Sequence, residues 1–105
     1  MLQFEKTMIK GEPCKFGSIQ QYTLEVTNPS EEEIAVNSLQ PGCSCTQAYL
    51  NPNPVPGNSK AQLKLTLDTK KAGIGDLVKS VNIKWNHKGR TYTEVINLKV
   101  HVSRS

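Results

Sequence analysis

The chain has 105 residues, of which 36% are hydrophobic, 21% charged and 6% aromatic, with a formal net charge of +4. Domains cluster around about 100–150 residues, so one domain spanning 1–105 is expected and two are excluded. The composition is lean in apolar residues but clear of the disordered class, which implies a thin core resting on a few large side chains: Trp85, Phe4, Phe16, Tyr22, Tyr49 and Tyr92.

No apolar run approaches the roughly 20 residues that span a bilayer, so a membrane-crossing helix is excluded and a membrane is not among the expected partners. The first ten residues, MLQFEKTMIK, interleave charged and apolar positions and lack the apolar stretch of a signal peptide, which points to the cytoplasm or to a virion assembled there. Charge is uneven along the chain. Residues 1–58 hold three Lys against six Glu, net −3, and residues 59–105 hold ten Lys or Arg against three acids, net +7. The cations of the second half are spaced singly with few aromatics among them, so a solvated face is a better reading than a nucleic-acid surface.

Alternation with a period of two is the main structural signal. Leu2, Phe4 and Met8 share one face of a first strand, and Tyr22, Leu24 and Val26 one face of a second, which ends at the turn signal Asn28-Pro29-Ser30. Ile34 and Val36 mark a third strand. After Pro41-Gly42, Cys45 to Leu50 form a short fourth, stopped by the loop NPNPVPGN, where proline cannot donate to a ladder. Ala61, Leu63, Leu65 and Leu67 alternate with polar residues in a half-buried fifth strand. Leu77, Val81, Ile83 and Trp85 face inward in a sixth, with Lys79 interrupting that face. A turn of about four residues, Asn86 to Gly89, leads to a last strand with Ile96, Leu98, Val100 and Val102 inward. No window holds the spacing of a long helix. Seven short strands with frequent turns point to an all-β, immunoglobulin-like sandwich of two antiparallel sheets, with an open Greek-key barrel as the alternative.

The segments FGSI (16–19), LEVTNPS (24–30), CSCT (43–46), VPGNS (55–59) and LTLDTKKAGIGDLVKSVNI (65–83) occur in an order that resembles a bacterial and phage domain-of-unknown-function family. That family carries F-G, a T-N turn, C-G-C-T, P-G and D-T-x-x-x-x-G, and is similar to the Hydin-type (ASH) immunoglobulin-like modules. Here Ser44 stands where the family usually has Gly. The resemblance implies the sandwich fold and a non-enzymatic adhesive or structural role, and says more about fold than about function.

Cys43 and Cys45 form the one motif with chemical content. Residues i and i+2 of an extended strand lie about 6.5–7 Å apart, at the limit for a disulfide, so a bridge needs a turned backbone such as Pro41-Gly42 could start. With Cys14 they are also the candidates for a soft-metal site, but tetrahedral zinc takes four ligands and the sequence lacks a second cysteine pair. The simpler reading is of three thiols in a reducing compartment, semi-buried at a strand edge, one of the pair able to join Cys14 on oxidation.

His87, in the turn, and His101, facing outward, have no carboxylate near them in sequence and read as solvated; Glu31, Glu32 and Glu33 read as a solvated loop. Gly73 and Gly75 form a turn or bulge rather than a phosphate loop, and Asp68 and Asp76 bracket it without a cleft.

With no catalytic set and no cofactor expected, two function classes remain. The first is a non-enzymatic interaction module, a small subunit of a larger assembly such as a phage head decoration, whose partners are other protein subunits or further copies of itself. The second is a thiol-based metal-binding or redox protein centred on Cys43 and Cys45.

The inward series ending at Trp85 makes a direct test of strand register. Trp85→Ala is expected to cost about 3–5 kcal/mol, whereas Lys84→Ala should cost only tenths of a kcal/mol. Denaturant unfolding of the two variants checks this; a one-residue slip would exchange the effects.

Overall fold

An alternating strand buries only one face, so each sheet needs a second against it. The computed structural model, which describes residues 2–104, contains β1 (Gln3–Phe4), β2 (Met8–Lys10), β3 (Cys14–Lys15), β4 (Ile19–Asn28), β5 (Val36–Pro41), β6 (Thr46–Asn51), β7 (Ser59–Asp68), α1 (Thr69–Ala72), β8 (Gly75–His87) and β9 (Arg90–Ser103). Met1 and Ser105, the end positions of the expected 1–105 domain, lie outside the described residues.

One sheet has the order β1-β4-β7-β6; the other has the order β2-β9-β8-β5, with β3 also on β9. Leu24, Val26, Leu63, Leu65 and Leu67 from the first meet Val81, Ile83, Trp85, Ile96, Leu98 and Val100 from the second in a continuous buried core. The architecture is an immunoglobulin-like sandwich. Trp85 is 3% exposed, stacks on Tyr92 with ring centroids 5.6 Å apart, and meets Phe4 at 5.7 Å. Lys84 beside it is exposed, so the register read from the alternation is the one that forms.

The N-terminal segment departs from expectation. Met8 is 41% exposed rather than inward, because the first strand is broken: β1 lies on β4, whereas β2 and β3 run parallel to β9 in the other sheet, with Ile9 as the buried residue. The pairing is therefore not wholly antiparallel, and among the described residues nine strands replace the roughly seven expected. Three residues, Gly11, Glu12 and Pro13, separate β2 from β3. A Cβ at Gly11 would lie 2.8 Å from the Tyr22 ring, and Pro13 has no N–H to donate.

The third expected strand begins as a single bridge, Ile34 to Val55, and becomes β5 only from Val36. The hairpin turn is tighter than expected. His87 faces Arg90, and Lys88 and Gly89 sit at φ 52° and 77°, the two left-handed residues of a type I′ turn.

Two buried polar side chains pin the ends of the sandwich. At one end, Asn28 Nδ2 donates to the carbonyls of Glu32 and Val55 at 2.8 and 3.0 Å, while Oδ1 accepts from Ser30 N–H and Oγ, which holds the Glu31–Glu33 loop against the proline-rich loop. At the other, Thr69 Oγ1 accepts from Gly17 N–H at 2.8 Å and donates to Ser18 C=O, tying the turn after β3 to α1.

Gly57 sits where the two loops at the Asn28 end touch: a Cβ there would lie 2.1 Å from the Glu31 carbonyl oxygen, a backbone atom with no side-chain freedom to move. Gly57→Ala is expected to destabilise by about 3 kcal/mol, the upper range for overpacking, measured as a drop in the unfolding midpoint. A change within a few tenths of a kcal/mol would show that the loops do not meet this closely.

Candidate interaction site

Each sheet edge exposes backbone groups unless something covers it. β1, β2 and β3 are two or three residues long. β5 is covered at its start by Asn53, whose amide accepts from Val36 N–H at 2.9 Å and donates to Val36 C=O at 3.1 Å, and it carries a register shift after Val36 and Pro41 at its end. β4 is open over Ile19–Thr23, before the reach of β1, and β9 over Thr91–Val95, before that of β2, so each is covered along part of its length.

β6 differs from all of these. Its sequence, TQAYLN, has no charge and no proline, its pairing with β7 has no bulge, and its other side is free along its length among the described residues. Asp68 N–H donates to Cys45 C=O at 2.8 Å. By the alternation of an antiparallel ladder, Gln47, Tyr49 and Asn51 then bond to β7, and the N–H and C=O groups of Ala48 and Leu50 point away from it. Tyr49, 59% exposed, stands on the outer face of this edge.

The cysteine motif lies immediately before the edge. Cys43 and Cys45 are joined to each other, with Cα atoms 5.2 Å apart, and Cys14 is the free cysteine. This corrects the expectation of three thiols, one of the pair able to join Cys14 on oxidation, and takes the alternative of a bridge made by a turned backbone. The approach comes from a turn in which Thr46 N–H donates to Cys43 C=O at 3.2 Å, drawing the two Cα atoms inside the spacing of an extended strand. Cys45 N–H donates to Cys43 Sγ at 3.1 Å, and Cys45 is buried. Ser44 and Cys45, with Ile19, Gln47, Asp68 and Lys71, border a hollow of about 130 Å³ at the start of the edge.

The remaining candidates are dispersed. Cys14 sits on β3 opposite Val102, and among the described residues no three His, Cys, Asp or Glu side chains come together as metal ligands. His87 closes β8, and its Nε2 is buried without a hydrogen-bond partner among the described residues. Glu32 reaches Lys88 at 3.8 Å, an exposed pair that contributes little. Asp68 caps α1 by accepting from Lys70 N–H at 3.1 Å, and Gly73 ends that turn at φ 99°.

His101, with no carboxylate near it in sequence and expected to be solvated, faces Asp76 across β8 and β9, with Nδ1 2.8 Å from Oδ1. The missing signal was hairpin register, which places residues 25 apart directly opposite each other. Lys10, Lys99 and this pair line a shallow hollow of about 240 Å³ on the outer face of the five-stranded sheet.

A comparison with known families matches residues 2–102 to the family described as protein of unknown function, DUF1573. The chain belongs to that family. A search of curated proteins found no match to this DUF1573 member's sequence. Among solved structures it is similar to the ASH / PapD-like domain 7 of human CEP192, with a TM-score of 0.73 at 10% identity, covering 99% of this chain and 86% of that one. It is also similar to a protein of unknown function from Porphyromonas gingivalis W83, with a TM-score of 0.78 at 13% identity, and to the Pseudomonas aeruginosa CupB2 chaperone, with a TM-score of 0.71 at 15% identity. The chain is covered to 95% and 96% in these two, and spans 46% and 56% of their length. At such identities the likeness is one of fold.

Tyr22, against Gly11, supplies a test of packing under the N-terminal crossing. Burial, and after it the nearby Cys14 thiol, raise its phenol above the ordinary value of 10.0. The unfolded chain ionises at the ordinary value, so this contribution to stability is complete below about pH 10 and is lost as pH rises through the higher folded value. Tyr22→Phe is expected to flatten the loss of stability above that pH, read as unfolding midpoint against pH; identical slopes would contradict the burial.

Proposed function

We propose that this DUF1573 chain is a non-enzymatic protein-interaction module, a subunit that joins a larger assembly, such as a virion, by taking an extended segment of a neighbouring protein along β6. The immunoglobulin-like fold and its likeness to PapD-like domains support the class. The observation that carries the reading is the unprotected edge: a whole strand without charge, proline or bulge, with the backbone groups of Ala48 and Leu50 turned outward. An added strand would gain main-chain hydrogen bonds there, and Tyr49 and the hollow beside Ser44 would discriminate among its side chains.

The register supplies a selective test. Ala48→Pro removes an N–H that faces the open side, so β6 keeps its bonds to β7, and proline is tolerated on such an edge. Extended peptides selected from a displayed random library against the purified chain are expected to bind about tenfold or more weakly to Ala48→Pro, from the lost hydrogen bond and the ring's obstruction, at an unchanged unfolding midpoint. Peptides that bind Ala48→Pro as well as the parent, or a library that yields no binder, would overturn the reading.

A further inference from the structure

The fold gathers apolar side chains that are far apart in sequence. Phe16, Ile19 and Ile74 are 43%, 64% and 46% exposed, and all three stand at the α1 end of the sandwich. Phe16 N–H donates to Ser103 C=O at 2.8 Å, and Gly75 faces Val102, so Phe16 and Ile74 flank the last residues of β9. Ile19 opens β4 opposite Asp68, the residue that caps α1.

Ile74 is held out deliberately. The glycines on either side of it have φ 99° and 116°, values that other residues rarely adopt, and a Cβ at either would meet nothing within 4 Å. The turn bearing Phe16 is fixed to α1 by the buried Thr69, so the apolar side chains are presented by anchored backbone.

Charge follows the same axis. The half of the molecule containing α1 holds eight Lys or Arg, with Lys15, Lys70, Lys71 and Arg104 at its tip, against Glu12, Asp68 and Asp76. The opposite half holds five cations against six acids, three of them Glu31, Glu32 and Glu33. The net positive charge thus lies in the half that carries exposed Phe16, Ile19 and Ile74. Over a molecule 48 Å long this orients the α1 end toward a negative surface.

We propose that the α1 end docks on an anionic lipid surface, with Ile74 and Phe16 entering the interface and the surrounding cations meeting the head groups. Exposed side chains that project singly, as Ile74 does between two glycines, fit a fluid interface, whereas a folded protein partner would call for a continuous complementary surface. The contact is peripheral: no helix among the described residues is long and apolar enough to cross a membrane. It uses neither β6 nor its open groups, and meets the edge reading only at the hollow that Ile19 and Lys71 border.

Co-sedimentation with phosphatidylcholine vesicles, with and without phosphatidylserine, tests this. The chain should sediment with the anionic vesicles and not with the neutral ones. Lys70→Gln with Lys71→Gln should weaken binding about thirtyfold, as two surface cations are lost, and Ile74→Ser about tenfold or more, with unfolding midpoints unchanged. Ala48→Pro should bind vesicles like the parent, which separates this proposal from the edge reading. Failure to sediment with anionic vesicles, or binding indifferent to both substitutions, would overturn it. Equal capture by poly-glutamate with Ile74→Ser without effect would also overturn it, assigning the end to an acidic polymer.

Discussion

Every strand at the margin of a sheet carries N–H and C=O groups that need partners, and how this chain answers that need decides what it presents to its surroundings. β9 is the hub. It pairs with β8 along its length on one side and on the other with the N-terminal segment as β2 and β3, so the chain's own first residues cover the second half of an edge that would otherwise be open. On the opposite flank, Asn53 imitates a strand by bonding both backbone groups of Val36, and Val55 does the same for Ile34 with a bridge of two hydrogen bonds. Parts of β4 and β9 stay open, and β6 is open from end to end, its outward groups at Ala48 and Leu50 without such cover among the described residues.

The two ends of the sandwich are fixed by different means and carry different chemistry. Asn28, fully buried, gathers the acidic loop and the proline-rich loop around one side-chain amide. Thr69, also fully buried, ties the β3–β4 turn to the helical turn at the other end. A buried polar group of this kind stabilises its loops only while all its hydrogen bonds are made, which limits local opening and keeps the end surfaces in one arrangement. The bridged turn at Cys43 and Cys45 acts similarly where the chain crosses from β5 to β6, placing Thr46 at the start of the open strand.

Much of the fold was legible because alternation is a local signal. The run from Ala61 to Leu67 and the series ending at Trp85 declare their buried faces without reference to the rest of the chain, and the proline-rich loop declares that it cannot be an interior strand. What was not legible depends on pairing. Met8 falls in phase with Leu2 and Phe4, yet the chain changes sheets between them, and nothing in their spacing marks the change. The Asp76–His101 contact follows from hairpin register, and the Cys43–Cys45 bridge from a turn that leaves C-x-C itself unaltered. Charge behaved in the same way: the contrast between sequence halves becomes, after folding, a contrast between ends. The β6 strand was expected, but its freedom from a neighbour is a property of topology, which no residue in TQAYLN encodes.

Family membership and structural likeness fix the architecture and leave the activity to be argued from the surface, because one sandwich supports many roles. The central claim is that β6 is an open edge in the free protein. Residue-resolved amide hydrogen exchange measures this directly. The N–H groups of Ala48 and Leu50 should exchange at nearly the rate of unstructured peptide, while those of Gln47 and Tyr49 are protected by β7. Protection of Ala48 and Leu50 equal to that of their neighbours would mean that the edge is already occupied and would contradict the account.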